Sequence, residues 1–212
     1  MKLATNGARD VCRGHPARGR LRCAPDLSLP FFQSLLRAMS LPYQVATLLY
    51  CFNAADDVLL LERAQEPNLG FWSPCGGKLH QQEGESPYAC ACREAEEELG
   101  LKLVVSDLHL TGLVSEDGYQ GQSHWLMFLF EVKPRLIRLP PAHREGRFKF
   151  FSRASLAQLK IPQTDFEQIW PWFWQHRGGF FAAHCHCLSD GSNQWCLEES
   201  CCIGNGHCRI ES

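Results

Sequence analysis

The sequence predicts an α+β domain. Three observations carry this: strand-like and helical segments mix without the regular alternation of a doubly wound fold, one helix has strong signals at both ends, and 45% hydrophobic residues suffice for a core. At 212 residues the chain reads as one domain with appendages. The expected division is a disordered or artefactual extension over 1–40, a folded domain over 41–187 and a Cys-rich irregular tail over 188–212.

The elements follow in order. Gln44–Phe52 is apolar and β-branched and reads as a strand; Asn53–Asp57 is a turn; Val58–Arg63 returns as a second strand, so a hairpin is expected. Pro67, Asn68 and Gly70 mark a loop. A helix is expected from Pro87 to Leu99, with Ser86 as N-cap, Pro87 in the first turn and Gly100 just past the end. Leu101–Val104, Leu108–Val114, Ser123–Val132 and Phe148–Phe151 read as strands, with Glu116–Gln122 a polar turn and Pro134–Gly146 a long loop. Ser155–Leu159 is a helical turn, Asp165–Gln175 a helix interrupted at Pro171, and Gly178–Cys187 a last strand.

Charge is uneven. Residues 1–38 hold seven Lys/Arg and two Asp, or +5, so with a net charge of −2 the remainder is −7. The basic, Gly- and Pro-containing first segment shows no apolar period. Its other readings are an organelle-targeting segment and a start of translation at Met39. The overall balance gives no general attraction to nucleic acid polymers or membranes, and no apolar run is long enough to span a bilayer. The twelve cysteines are not spaced as a disulfide scaffold, and a secretory signal is not evident, so a reducing, cytoplasmic setting is expected.

The richest stretch is Gly76-Gly77-Lys78, then Glu85, then Arg93-Glu94-Ala95-Glu96-Glu97-Glu98-Leu99-Gly100-Leu101. On a helix Glu94, Glu97 and Glu98 share one face. Three like charges that close repel, and a hard divalent cation with oxygen ligands compensates them. A merely solvated acidic face would not need the Gly-Gly-Lys upstream or the Arg before the first acid; for Glu96 alone, a solvated acid is the better reading.

This spacing resembles the Nudix box, the signature of the Nudix hydrolases. The second half, from Glu85 through seven residues to Arg93 and on to Leu101, matches completely. The first half departs: Gly77 and Glu85 are separated by seven residues rather than five. Gly77 and Glu83 have the family spacing, but that register puts Ala91 where the Arg belongs. Two extra loop residues around His80–Glu83 are therefore inferred. The resemblance spans roughly Pro42 to Cys187 and implies a Nudix-type α/β/α sandwich with a mixed β-sheet.

It also implies Mg²⁺ (or Mn²⁺) as cofactor and a water attacking a phosphoanhydride. Glu97 and Glu98 would be metal ligands, the Gly77 carbonyl a third, and Glu94 a further ligand or the general base. Arg93 would hold the box carboxylates through its rigid fork. Glu85 would tie the loop to the helix. Lys78 is a candidate phosphate contact, against the plainer reading of an exposed loop lysine. Glu116, Asp117 and Glu145 are candidates for an assisting acid outside the box, each also readable as an ordinary surface acid.

The segment from Leu69 to Lys78 and the Ile161–Asp165 run before an aromatic helix resemble the MutT-like branch, which hydrolyses nucleoside triphosphates to monophosphate and pyrophosphate. That points to a nucleotide substrate, with an oxidised purine dNTP as the sharper version. Trp72 and Asp165 are the candidate base contacts, although Asp165 equally suits a helix N-cap and Ser73 stands where some oxidised-purine enzymes place an Asn. An ADP-ribose or nucleotide-sugar pyrophosphatase is the rival, and a non-catalytic nucleotide sensor a third reading. Monomer and homodimer stay open. His184-Cys185-His186-Cys187 carries zinc-type ligands, but strand alternation splits the histidines from the cysteines, so a tail without metal is preferred.

Overall fold

The computed structural model describes residues 41–66, 68–142 and 144–202. The N-terminal extension and the end of the tail lie outside these residues. The strands are β1 (Tyr43–Tyr50), β2 (Val58–Arg63), β3 (Trp72–Ser73), β4 (Leu108–Tyr119), β5 (Ser123–Val132), β6 (Gly146–Phe151), β7 (Phe180–Cys187) and β8 (Asn193–Cys201). The helices are α1 (Pro87–Leu99) and α2 (Trp170–Gln175), the latter continuing a π-helical turn over Asp165–Ile169.

A five-stranded mixed sheet runs in the order β1-β5-β4-β7-β8, with β1 parallel to β5 and β4 parallel to β7. A smaller antiparallel sheet runs β3-β2-β6. Through β1, β5 and the middle of β4 the large sheet is covered on both faces, and period-two alternation sends successive apolar residues to opposite cores. Leu49 and Phe130 pack with Ala91 and Ala95 of α1, while Tyr50 and Leu129 pack with Ile169 and Phe173 of the second helical segment. The result is the expected α+β sandwich.

The expected hairpin between the first two strands does not form. The turn is there, with the Asn53 N–H donating to the Asp57 carbonyl at 3.0 Å and a single bridge Phe52↔Val58. Beyond it β1 pairs with β5 and β2 with β3 and β6, so the strands part into different sheets. Local sequence sees a turn between apolar runs but not which distant strand competes for each edge. Leu101–Val104 is not a strand, and Glu116 lies inside β4 rather than in a turn. The strand is carried on through a register shift between Glu116 and Tyr119, with Gly118 at φ +65°. The tail is not irregular over its first half: β8 pairs antiparallel with β7.

α1 has the predicted bounds and caps. The Ser86 hydroxyl accepts from the Ala89 N–H at 3.1 Å. Gly100 has φ +68°, and the Gly100 and Leu101 amides close back on the Glu96 and Ala95 carbonyls at 3.1 and 3.0 Å.

Candidate active site

The Gly-Gly turn and α1 build one acidic cluster. Arg93 sits at its centre. Its Nε and Nη2 donate to the two carboxylate oxygens of Glu85 at 2.8 and 3.0 Å, and its Nη1 donates to Glu94 at 2.7 Å and Glu97 at 3.3 Å. Glu85 also accepts from the His80 N–H at 2.8 Å, so it joins the loop to the helix, whereas Glu83 is exposed beside His80. The longer loop is absorbed by a 3₁₀ turn at Gln81–Glu83 and by Gly84 at φ +69°, leaving Glu85 against Arg93. The guanidinium holds the Glu85 carboxyl down at about 2.

Glu98 is buried one turn from Glu94 and accepts from the Gly76 N–H at 3.0 Å. Burial pushes its carboxyl up to about 8, and the neighbouring Glu94 and Glu145 add to the shift. Burial likewise raises Glu94, against the downward pull of Arg93. Glu145, before β6, is thus brought near the box, where its charge adds to the upward shift of Glu98. Three acids (Glu85, Glu94, Glu97) share one guanidinium, and Glu98 and Glu145 add to the negative charge beside them. Such partly desolvated surplus negative charge fits a divalent cation, and oxygen-only donors suit Mg²⁺ or Mn²⁺.

The two glycines make room for this. A Cβ on Gly77 would lie 2.1 Å from Glu94 Oε1, and one on Gly76 2.1 Å from the Thr47 carbonyl oxygen, with φ at +142°. The Gly77 carbonyl accepts from the Thr47 N–H at 2.9 Å, and its second lone pair meets only the Cys90 thiol at 3.7 Å.

A second group of acids lies on the other face of the sheet. Glu116 of β4 is buried and pushed up to about 7, chiefly by burial and then by Asp165. Burial pushes Asp165 to about 6, against a hydrogen bond from the Thr164 hydroxyl. Asp165 does not cap its helix: Thr164 takes the cap position and no side-chain cap bond forms. Directly across from Glu116 on β5 is Trp125, whose indole N–H is buried without a partner among the described residues. Lys78 lies with its Nζ 5.2 Å from the Trp125 ring centroid, linking the box to this pocket. Trp72 packs edge-on against Phe151 and is half-buried in the core rim. Asp117 points away from both groups, beside His184 and His186.

No local signal in the sequence joins Glu116 to Asp165, whose charge adds to the Glu116 shift, or Lys78 to Trp125. Only alternation in the apolar β5 hinted that Trp125 shares a face with Leu129.

The NUDIX domain family model matches residues 42–173. The chain belongs to the Nudix family. A Bacillus subtilis (strain 168) protein described as the uncharacterized Nudix hydrolase YvcI is 35% identical over 116 residues, covering 54% of this chain and 71% of that protein. Among solved structures, the MutT protein of Bacillus halodurans superposes with a TM-score of 0.54 at 23% identity, over 73% of this chain and 97% of that one. The MutT protein of Methanosarcina mazei Go1 gives 0.53 at 20% identity, over 66% and 96%. At such identities these structures show the fold. Family and relatives together make this Nudix protein a pyrophosphohydrolase, acting on acid anhydrides in phosphorus-containing substrates.

Proposed function

We propose that this Nudix protein is a Mg²⁺-dependent hydrolase of a nucleoside triphosphate, releasing a monophosphate and pyrophosphate. The observation that carries the nucleotide reading is the Glu116–Asp165 pair beside the unpartnered Trp125 indole, joined to the box by Lys78. Near neutral pH such a pair holds part of its protons and can both donate to and accept from a base edge. The adjoining Trp125 ring offers a face for stacking. A purine base, oxidised or not, fits that combination.

In this reading Glu97 and Glu98 hold the cation, with the Gly77 carbonyl completing the set. The cation would neutralise phosphate oxygens and lower the pKa of a bound water. Arg93 keeps Glu94 and Glu97 in register, and Glu85 keeps Arg93 in place. Glu94, with its carboxyl raised by burial, is the acid placed to accept the water's proton. Lys78 meets the phosphate chain between box and base pocket.

The test is product identification with Mg²⁺ and a panel of normal and oxidised dNTPs, ADP-ribose and nucleotide sugars, using the protein and Glu97→Gln. Monophosphate and pyrophosphate from a dNTP, lost in the variant, support the reading. Selective conversion of ADP-ribose to AMP and ribose phosphate would replace it. Tight nucleotide binding without turnover would make the protein a sensor.

A further inference from the structure

The end of the β4–β7 ladder carries a group of side chains that the hydrolytic reading does not use. β4 and β7 are parallel, with Ser115 opposite His184 and Asp117 opposite His186. Side chains of paired residues share a face. These four therefore stand on one side of the sheet, while Glu116 and Cys185 between them are buried on the other. His186 Nδ1 lies 2.7 Å from Asp117 Oδ2, and His184 Nε2 lies 3.8 Å from the same oxygen. The two imidazole rings meet edge-on with centroids 4.4 Å apart. All three ligand-type atoms fall within 4.8 Å of one another.

Ser115 supplies the second observation. Its Oγ donates to the Ala183 carbonyl at 3.5 Å and lies 2.6 Å from His184 Nδ1. With the hydroxyl proton directed to the carbonyl, Oγ accepts from Nδ1–H. That tautomer turns the bare lone pair of His184 Nε2 toward the Asp117 carboxylate. A lone pair facing an anion is unfavourable unless a metal ion or a proton lies between them. A hydrogen bond on the far nitrogen is also what orients a metal-ligating imidazole.

We propose that Asp117, His184 and His186 form a zinc site, distinct from the carboxylate box, with a fourth position open to water. Two imidazoles and one carboxylate with an open place are a donor set that zinc accepts. Tetrahedral ligation needs ligand atoms about 3.3 Å apart, so the present cluster closes with side-chain shifts of about an ångström. Access is open, since the side chains of Asp117, His184 and His186 are 39, 22 and 53% exposed. The ion would clamp the end of β4, whose next residue inward is Glu116.

The test titrates Zn²⁺ into the full chain in excess Mg²⁺, which occupies the box, and reads bound zinc after equilibrium dialysis. Co²⁺ is used in parallel as a spectroscopic probe. His186→Ala and His184→Gln are expected to lose one zinc equivalent, Ser115→Ala to bind at least tenfold more weakly, and Glu97→Gln to bind as the parent does. The exposed Cys196 stands opposite His184 on β8, so Cys196→Ser is the control for adventitious thiolate binding. The cobalt form should lack thiolate-to-metal charge-transfer absorption. Unchanged zinc stoichiometry in both histidine variants, or thiolate bands that vanish with Cys196→Ser, would overturn the proposal. Circular dichroism of each variant separates lost binding from lost folding.

Discussion

The two groups of acids, one against α1 around buried Glu94 and Glu98 and one behind the opposite face of the sheet around buried Glu116, solve the same problem in different ways. The box acids crowd around Arg93, and part of their charge is kept because a guanidinium and backbone amides hold it. Glu116 and Asp165 have no ion-pair partner among the described residues, and burial pushes them up to about 7 and about 6. In the proposed function the first arrangement takes a cation and the second exchanges hydrogen bonds with a base near neutral pH. Burial alone raises a carboxyl in both, and the neighbouring charges decide what the site can bind.

The largest effect should fall on the first group. Glu97→Gln is expected to lower kcat by about a thousandfold, the scale of several kcal/mol of charge stabilisation lost. Pyrophosphate release measures it. If Glu116→Gln cost as much in kcat, the division of labour between the groups would collapse.

The adjacent glycines separate folding from chemistry. Gly76→Ala puts a Cβ on the Thr47 backbone at positive φ and should cost about 3 kcal/mol or more, read by denaturant unfolding. Gly77→Ala meets the Glu94 carboxylate first, a side-chain end rather than backbone, so it should lose less Tm than Gly76→Ala while losing most activity. Equal destabilisation of both variants would contradict this.

Changes in the second group should appear in binding. Glu116→Gln and Asp165→Asn are each expected to raise KM about tenfold with kcat within about twofold, for the loss of one hydrogen bond to a charged group. A kcat effect without a KM effect would move these acids into the chemistry.

The smallest expected effect is a pH dependence. Glu98 binds its proton more tightly folded than unfolded, so without metal the stability it contributes falls as pH rises from 4.5 to about 8. In the proposed site Mg²⁺ competes with that proton. The rise in Tm on adding Mg²⁺ should therefore be greater at the alkaline end of this window than at the acidic end. A pH-independent rise would place the cation away from Glu98.

Local signals in the chain already determined α1, residue for residue, because Ser86, Pro87 and Gly100 act on their immediate neighbours. The same holds for the shared face of Glu94, Glu97 and Glu98, set by helical period, and for the bounds of β2 and β5, which continuous apolar runs between turn residues mark. Family membership was legible for the same reason: the box is contiguous. Strand pairing was not, since the turn at Asn53–Asp57 looks alike whether its flanking strands stay together or part. The Glu116–Asp165 pair, the arrival of Glu145 at Glu98 and the meeting of Asp117 with His184 and His186 join residues far apart in the chain. Those contacts exist only once β4 lies between β5 and β7, because sheet order and register bring side chains together, and no local propensity encodes either.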